Sequence, residues 1–566
     1  MMLRSFALPL LLAMSSQSLA HEAGESRTGP SDHREEEISY EFIPCMSERP
    51  CLDIRLIFRA SNDIKTAVGL ADGWGGASNP THSIISMSAT GEGGRMRDVA
   101  ADPHAGGWNI AHAPGEVLTV TYRLSPPYFE ESESVRFHRG LVENSRIHVF
   151  SPTGLLLPRH WRHDQEVRVH VIWDELAWSG WVVAPSSFSN RPMTLGELSN
   201  ISVTALKSGT LFERHLADGS MLRIVADAEL ADGITALVPE LVRVLGRQRS
   251  LFPDLTYPEE IVVSALAYGE GNSLKGNGVE NGIVLAIGAH YDLQRRMHLR
   301  WLGGHELLHL VLRPEIANVG DEHELYWYSE GFNNYINRSI LLDTGLMRID
   351  EYVEHINQVL ETLASSPSRN APNKTIARSF WATPDVKNLP YLRGDIAALL
   401  IDSRLRLNAK GRVWNLAETW VTSARDAEQS VGAIFTSIAR NTSSEVSAEI
   451  ARFIEEGGDL RLPTDVLAPC LTLRDAPTYR YDIGFDPEAS ERTHVVSGVR
   501  PASEAYKAGL RNGLGLIAIQ SEQPGASSTH VRVITRDAND ERAFTFLPRV
   551  STGETHQQFS INDPDA

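Results

Sequence analysis

The sequence predicts a multidomain α+β protein: an N-terminal β-sandwich-like domain, a central domain that starts as α/β and becomes helical, and a small strand-rich C-terminal domain. Three observations lead there. The chain has 566 residues, room for about three or four domains of roughly 100–200 residues. Its composition, 42% hydrophobic and 22% charged, is that of a globular protein with enough apolar mass for real cores. The residue pattern also changes twice along the chain, from short strand-like runs to long helical periods and back.

In order, residues 1–20 (MMLRSFALPLLLAMSSQSLA) read as a secretory signal. Arg4 gives the positive start, Phe6 to Met14 the apolar run and Ser18-Leu19-Ala20 a small-x-small cleavage site. An exported protein starting near His21, periplasmic or secreted, is expected. Residues 21–39 are polar and expected to be disordered. Over 40–190, runs such as DIRLIF (53–58), VLTVTYRL (117–124), RIHVF (146–150) and VRVHVIW (167–173) alternate with Gly, Pro, Asn and Asp clusters, the mark of antiparallel strands. Cys45 and Cys51 lie six apart; an oxidising compartment would pair them, a reducing one would not. Cys470 is read as a buried thiol.

Over 191–465, the runs MLRIVADAEL and EEIVVSALAY read as strands flanking an amphipathic helix at 234–252. From about 292 the pattern is mainly helical, as in DIAALLIDSRLRL (395–407) and VGAIFTSIAR (431–440). Residues 475–555 are strand-rich with one short helix. The net charge of −19 argues against a nucleic-acid partner, which needs a basic face. No later stretch has the ~18 apolar residues of a transmembrane helix.

The chemistry-bearing motif is His305-Glu306-Leu307-Leu308-His309. On a helix, positions i and i+4 lie one above the other, so two imidazoles can share one metal ion. The intervening Glu306 lies beside the open coordination position, where it can take a proton from a bound water. A buried amphipathic helix can also carry two such histidines with no metal. Gly303 and Gly304 are costly inside a helix and suggest close approach of another element.

A catalytic zinc site needs three protein ligands. Glu330, in the helical stretch Trp327-Tyr328-Ser329-Glu330-Gly331-Phe332, follows His309 by 21 residues and would complete the set. His323 is its main rival; Glu315, Glu322 and Glu324 are also near in sequence. Upstream, Gly278-Val279-Glu280-Asn281 precedes a strand-like run. At a sheet edge, Glu280 can pair with a substrate's α-ammonium group; the same residues also suit a surface turn.

Together, H-E-x-x-H, W-x-x-E-G-F and G-x-E-N resemble the gluzincin aminopeptidases. The layout is most similar to the glycyl aminopeptidase family, in which a β-rich domain precedes a thermolysin-like catalytic domain and a PDZ domain. The resemblance implies one zinc ion (Zn2+) held by His305, His309 and Glu330, with Glu306 as general base. It implies that Glu280 and Asn281 bind the substrate amino terminus. Tyr391, in Pro390-Tyr391-Leu392-Arg393-Gly394-Asp395, is similar to the tyrosine of the family's Tyr-x-x-Gly helix start. It would donate to the oxyanion; a half-buried packing role is the other reading.

Residues 483–519 resemble a PDZ core. Gly484-Phe485 would belong to a loop that captures a peptide C-terminus, Val496 to Val499 would be a strand, and Gly509 would cap a short helix. Leu514-Gly515 stands where that family usually has Gly-Asp, so a packing module is the alternative. Peptides are the expected partners. Three functions stay open: a zinc aminopeptidase, a zinc endopeptidase with the same site, and a non-catalytic peptide-binding protein.

Overall fold

The computed structural model describes residues 36–562, apart from 46–48, 72, 103–105, 127–132, 187–191, 270, 295, 313–318, 320, 427–429, 522–526, 528 and 538–539. The signal-like segment 1–20 lies outside the described residues, as does most of 21–39; Glu36–Ser39, expected to be disordered, instead begin a strand. The chain divides into two compact units between Arg313 and Pro314.

The first unit opens with a seven-stranded sheet. Its strands are β1 (Glu36–Cys45), β2 (Cys51–Arg59), β3 (Ile84–Thr90), β4 (Met96–Arg97), β5 (Val117–Leu124), β6 (Glu166–Trp173) and β7 (Met193–Thr194), in the order β7-β6-β1-β2-β5-β3-β4. The expected alternation is present. Leu118, Val120, Tyr122 and Leu124 of β5 point inward and are buried, because successive side chains leave opposite faces of a strand. They join Ile54, Leu56 and Phe58 of β2 in one apolar core. Two four-stranded sheets and a two-stranded one (Gly73–Trp74 with Ala77–Ser78) complete this β domain. Cys45 and Cys51, partners across the β1–β2 ladder, form a disulfide.

A five-stranded sheet follows. It contains β8 (Thr210–His215), β9 (Met221–Ala226), β10 (Glu260–Ala267), β11 (Leu274–Val279) and β12 (Gly282–Ile287), in the order β8-β9-β10-β12-β11. The β9–β10 and β10–β12 pairs are parallel, and β11 is an antiparallel edge. Helix α1 (Ala231–Leu251) makes the β9-to-β10 crossover, and α2 (Arg296–Leu308) follows β12. The two helices approach closely at Gly303, where a methyl group would lie 2.8 Å from Leu241 Cδ2. Gln248 donates to the Gly304 carbonyl at 3.0 Å. Glu240 of α1 accepts two bonds of 2.8 Å from Arg300 of α2.

The second unit is mainly helical. A π-helical turn (Trp327–Phe332) runs into α3 (Asn333–Asp343), followed by α4 (Ile349–Ser365), α5 (Pro384–Leu407), α6 (Val413–Asp426), α7 (Val431–Asn441) and α8 (Ser444–Ala451). Buried Arg338 of α3 pairs with Asp395 of α5 through a bond of 2.8 Å. Burial works against the guanidinium charge, but Asp395 outweighs it and holds Arg338 above its ordinary pKa. Asp402 of α5 accepts from Tyr335 of α3 at 2.8 Å, and from Arg412 and the Val413 amide at 2.9 Å.

The C-terminal segment comprises β13 (Leu471–Tyr481), α9 (Pro487–Thr493), α10 (Glu504–Lys507), β14 (Gly515–Ser521), β15 (Val531–Asp537), β16 (Asp540–Phe546) and β17 (Arg549–Ile561). Strand β13 pairs with β17, and β14-β15-β16 form a separate sheet. Two short helices occur where one was expected. Residues Val496–Val499, expected as a strand, are irregular, with only an isolated bridge from Val495 to Gly515. Helix α9 precedes this stretch, capped by Asp486 and with Pro487 at its first position. Asn357 of α4 bonds the Phe559 backbone twice, at 2.9 and 2.7 Å, fixing β17 to the helices. Cys470 is exposed rather than buried, because it ends a run of turns just before β13.

One buried histidine makes the first unit acid-sensitive. His148 has no exposed surface. Its Nδ1 lies 2.8 Å from Thr204 Oγ1, which lies 2.7 Å from Ser264 Oγ of β10. Burial, with the His138 charge second, pulls its pKa from 6.5 down to about 3. The unfolded chain therefore binds the extra proton first as pH falls. The stabilisation from neutral His148 is complete above the unfolded pKa of about 6.5 and is lost as pH falls towards 3, at up to ~1.4 kcal/mol per pH unit. We expect urea midpoints at pH 7 and pH 5 to differ more in the wild type than in His148→Asn; equal pH dependence would contradict this.

Candidate metal centre

Helix α2 carries the first two candidate ligands. It ends at Leu308, and His309 sits in the turn immediately after it, its amide bonded to the Glu306 carbonyl at 3.1 Å. The two imidazoles still converge: His305 Nε2 and His309 Nε2 are 3.3 Å apart. Two zinc–nitrogen bonds of ~2.0–2.1 Å at a tetrahedral angle would place their nitrogens about 3.3–3.4 Å apart, so this spacing fits a shared zinc ion. His309 Nδ1 lies 3.3 Å from the Leu312 carbonyl, an outer contact that turns Nε2 inward.

Edge strand β11 lies directly over this face of α2. A methyl group at Gly276 would sit 2.7 Å from Glu306 Cγ, and one at Gly278 would sit 2.8 Å from His309 Cβ. Residues two apart on a strand share a face, so Gly276 and Gly278 together leave the space that Glu306 and His309 occupy. Glu306 is fully buried. Sequence reasoning read Gly278 only as part of a motif; the Gly-x-Gly alternation was the available signal for close approach.

Glu280 and Asn281 form the turn from β11 to β12. Glu280 is half-buried, and its amide donates to the Asn200 carbonyl at 2.8 Å. The Asn281 carboxamide accepts from the Ser202 amide at 3.1 Å and donates to the Ser202 carbonyl at 2.9 Å. Asn281 thus holds backbone in the manner of a strand neighbour and positions Glu280.

In the second unit, Glu330 sits in the π-helical turn and is buried. This turn crosses α5 at two glycines: a methyl group on Gly394 would lie 1.7 Å from the Trp327 carbonyl oxygen, and one on Gly331 would lie 2.4 Å from Gly394 Cα. Only hydrogen at both positions permits the crossing, which sets Glu330 beside Gly331 and Tyr391 one turn before Gly394. Tyr391 is not at a helix start as expected. Thr383 caps α5 and Pro384 opens it, so Tyr391 lies seven residues inside. It is buried against Tyr326 and Phe380.

The ligand atoms of His305, His309 and Glu330 all lie within 4.8 Å of one another, the one such group of three or more among the described residues. His323, the rival ligand, is outside it; its Nδ1 meets Asp321 at 2.5 Å and its ring packs on Tyr326 and Phe380. Glu322 and Glu324 are also outside the group, and Glu315 falls outside the described residues.

No protein-family model and no curated protein sequence matches the chain. Solved structures do share its fold. An aminopeptidase N family protein from Idiomarina loihiensis superposes with a TM-score of 0.63 at 15% identity, over 93% of this chain and 98% of that one. A variant M1 zinc metallopeptidase from Deinococcus radiodurans, bound to a Tyr-Ser-Ala substrate, gives 0.50 at 14% identity, over 76% of this chain and 96% of that one. The chain shares the fold of these two structures. The overlap with the first of these structures takes in nearly the whole chain.

The glycine cradle yields a direct prediction. Gly278→Ala pushes on His309 and should weaken zinc binding about tenfold or more, the usual cost of disturbing a ligand's support. Gly246→Ala on α1, where nothing lies within 4 Å of the new methyl group, should leave zinc affinity unchanged and raise thermal stability slightly. Chelator competition and a thermal melt on both variants check this; equal zinc affinities would refute the cradle.

Proposed function

We propose that this protein is a zinc aminopeptidase. The observation that carries the reading is the clustering of His305, His309 and Glu330, with two imidazole nitrogens 3.3 Å apart. The shared fold with M1 zinc metallopeptidases supports it. Two histidines and one carboxylate are a donor set suited to catalytic zinc with an open position. When bound, zinc supplies Lewis acidity and brings the pKa of a coordinated water towards ~7.

The chain's own residues do the rest. Glu306 accepts a proton at its carboxylate as the scissile carbonyl is attacked, then passes it to the leaving amine. The Tyr391 hydroxyl donates a hydrogen bond to the developing oxyanion. Glu280, at the end of the edge strand, pairs with the substrate's free α-ammonium group and limits cleavage to the first peptide bond. Asn281 keeps Glu280 in place through Ser202.

The finer readings rest on sequence pattern: residues 1–20 as an export signal and the domain layout as that of the glycyl aminopeptidases. We assign the PDZ-like C-terminal segment a packing role. Helix α9 follows the Gly484 loop where a peptide would need an exposed strand edge to pair with. The Gly484 amide is already bonded to Asp482 at 2.9 Å, and β17 is tied to α4 by the Asn357 bonds.

The test is metal analysis with assays on free and N-acetylated peptides. Wild type should hold one zinc and cleave only peptides with a free amino terminus. Glu306→Gln should keep its zinc and lose about 10²–10⁴-fold in kcat. Cleavage of both substrate types would make the protein an endopeptidase, and zinc-loaded protein that cleaves neither would overturn the hydrolase reading.

A further inference from the structure

Beside Glu330 and Tyr391, the second unit carries an aromatic cluster that the reaction described above does not use. Tyr326 lies one helical turn before Glu330. With Phe380 and Tyr391 it forms a single buried group. The ring of Phe380 meets Tyr326 edge-on, with centroids 5.0 Å apart. Phe380 in turn meets Trp381 edge-on, with centroids again 5.0 Å apart. His323 closes the group, 4.8 Å from Phe380 and 6.2 Å from Trp381.

Trp381 ends this series at the surface and is 51% exposed. Exposing a large aromatic costs hydrophobic stabilisation, and such a ring at the rim of a site is a common recognition feature. It is also held in place. Lys387 Nζ lies 4.6 Å from the indole centroid on one face, Phe380 and His323 meet the ring edge-to-face, and Asp321 anchors His323. A fixed, half-open indole therefore lies one ring beyond Phe380, which belongs to one buried group with Tyr326 and Tyr391. Two ring contacts of 5.0 Å, from Trp381 to Phe380 and from Phe380 to Tyr326, lead from the indole to the residue one helical turn before Glu330. A path of at most about 10 Å is within the reach of a substrate side chain adjoining the scissile bond, since one extended residue spans ~3.5 Å and its side chain adds several more.

We propose that Trp381, backed by Phe380 and His323, is a specificity-determining subsite that receives a large apolar or aromatic side chain of the peptide residue flanking the scissile bond. The proposal rests on the aminopeptidase reading for the location of the scissile bond. Trp381 touches the substrate side chain and not the reacting atoms, so its effect falls on selectivity rather than on the chemical step. Small side chains such as alanine do not reach the indole and gain nothing from it.

The experiment compares full-length wild type with Trp381→Ala on peptides carrying phenylalanine or alanine, placed in turn on each side of the cleaved bond. Wild type should prefer phenylalanine at one of the two positions. Trp381→Ala should lower kcat/KM for that peptide about tenfold, the usual value of a side-chain pocket contact, and change the alanine peptide by less than about twofold. The second measurement is calorimetric binding of the same peptides to zinc-loaded Glu306→Gln, with and without Trp381→Ala, where the same tenfold loss should appear. If peptides are cleaved but Trp381→Ala affects phenylalanine and alanine peptides equally, the subsite is wrong and the peptidase reading stands. If no peptide is cleaved yet the Trp381-dependent binding preference is present, the subsite stands and the peptidase reading falls. Loss of both overturns both.

Discussion

The candidate site depends on how closely backbone can approach the His305–His309 face of α2. Ionisable groups resist burial because the interior solvates charge poorly, yet His305, Glu306 and Glu330 are all buried. Bringing them inside requires elements packed at van der Waals distance, and glycines supply that twice. Gly276 and Gly278 let β11 lie on Glu306 and His309. Gly331 and Gly394 let the π-helical turn cross α5 beside Glu330. In both places a single methyl group would collide with atoms that hold, or adjoin, a proposed catalytic residue.

Each unit holds its own candidate residues in place by its own means. In the first, Arg300 and Glu240 lock α2 to α1, while Asn281 bonds Ser202 and fixes the turn that carries Glu280. In the second, the buried Arg338–Asp395 pair joins α3 to α5, and Asp402 gathers Tyr335, Arg412 and the Val413 amide. A buried ion pair is a weak source of net stability but strongly penalises loss of either partner. Its value here is geometric: it sets the register of the two helices on either side of Glu330 and Tyr391.

Much of this was legible in the sequence, because local patterns report local geometry. The alternation in VLTVTYRL gives the strand with its buried face, and the i, i+4 spacing of His305 and His309 gives converging imidazoles. The choice of Glu330 over His323 also follows the second helical stretch. Contacts between distant segments were not legible. Nothing local to Asn281 says that its amide will meet Ser202. Nothing near Trp381 says that Phe380 will meet Tyr326. The start of α5 at Pro384 was missed because the resemblance put a helix start at Tyr391, whereas the helix runs through Pro390. The strand expected at Val496–Val499 failed for a different reason: β-branched residues favour strands only where a neighbour completes the ladder.

The most direct measurement of the central claim is X-ray absorption at the zinc edge on the zinc-loaded full-length protein. One zinc per chain, with two imidazole nitrogens, one carboxylate and one light-atom ligand at ~2.0–2.1 Å, and a spectrum that changes on Glu330→Ala, is the expected result. A sulfur shell, six oxygen ligands, or a spectrum indifferent to Glu330→Ala would contradict it.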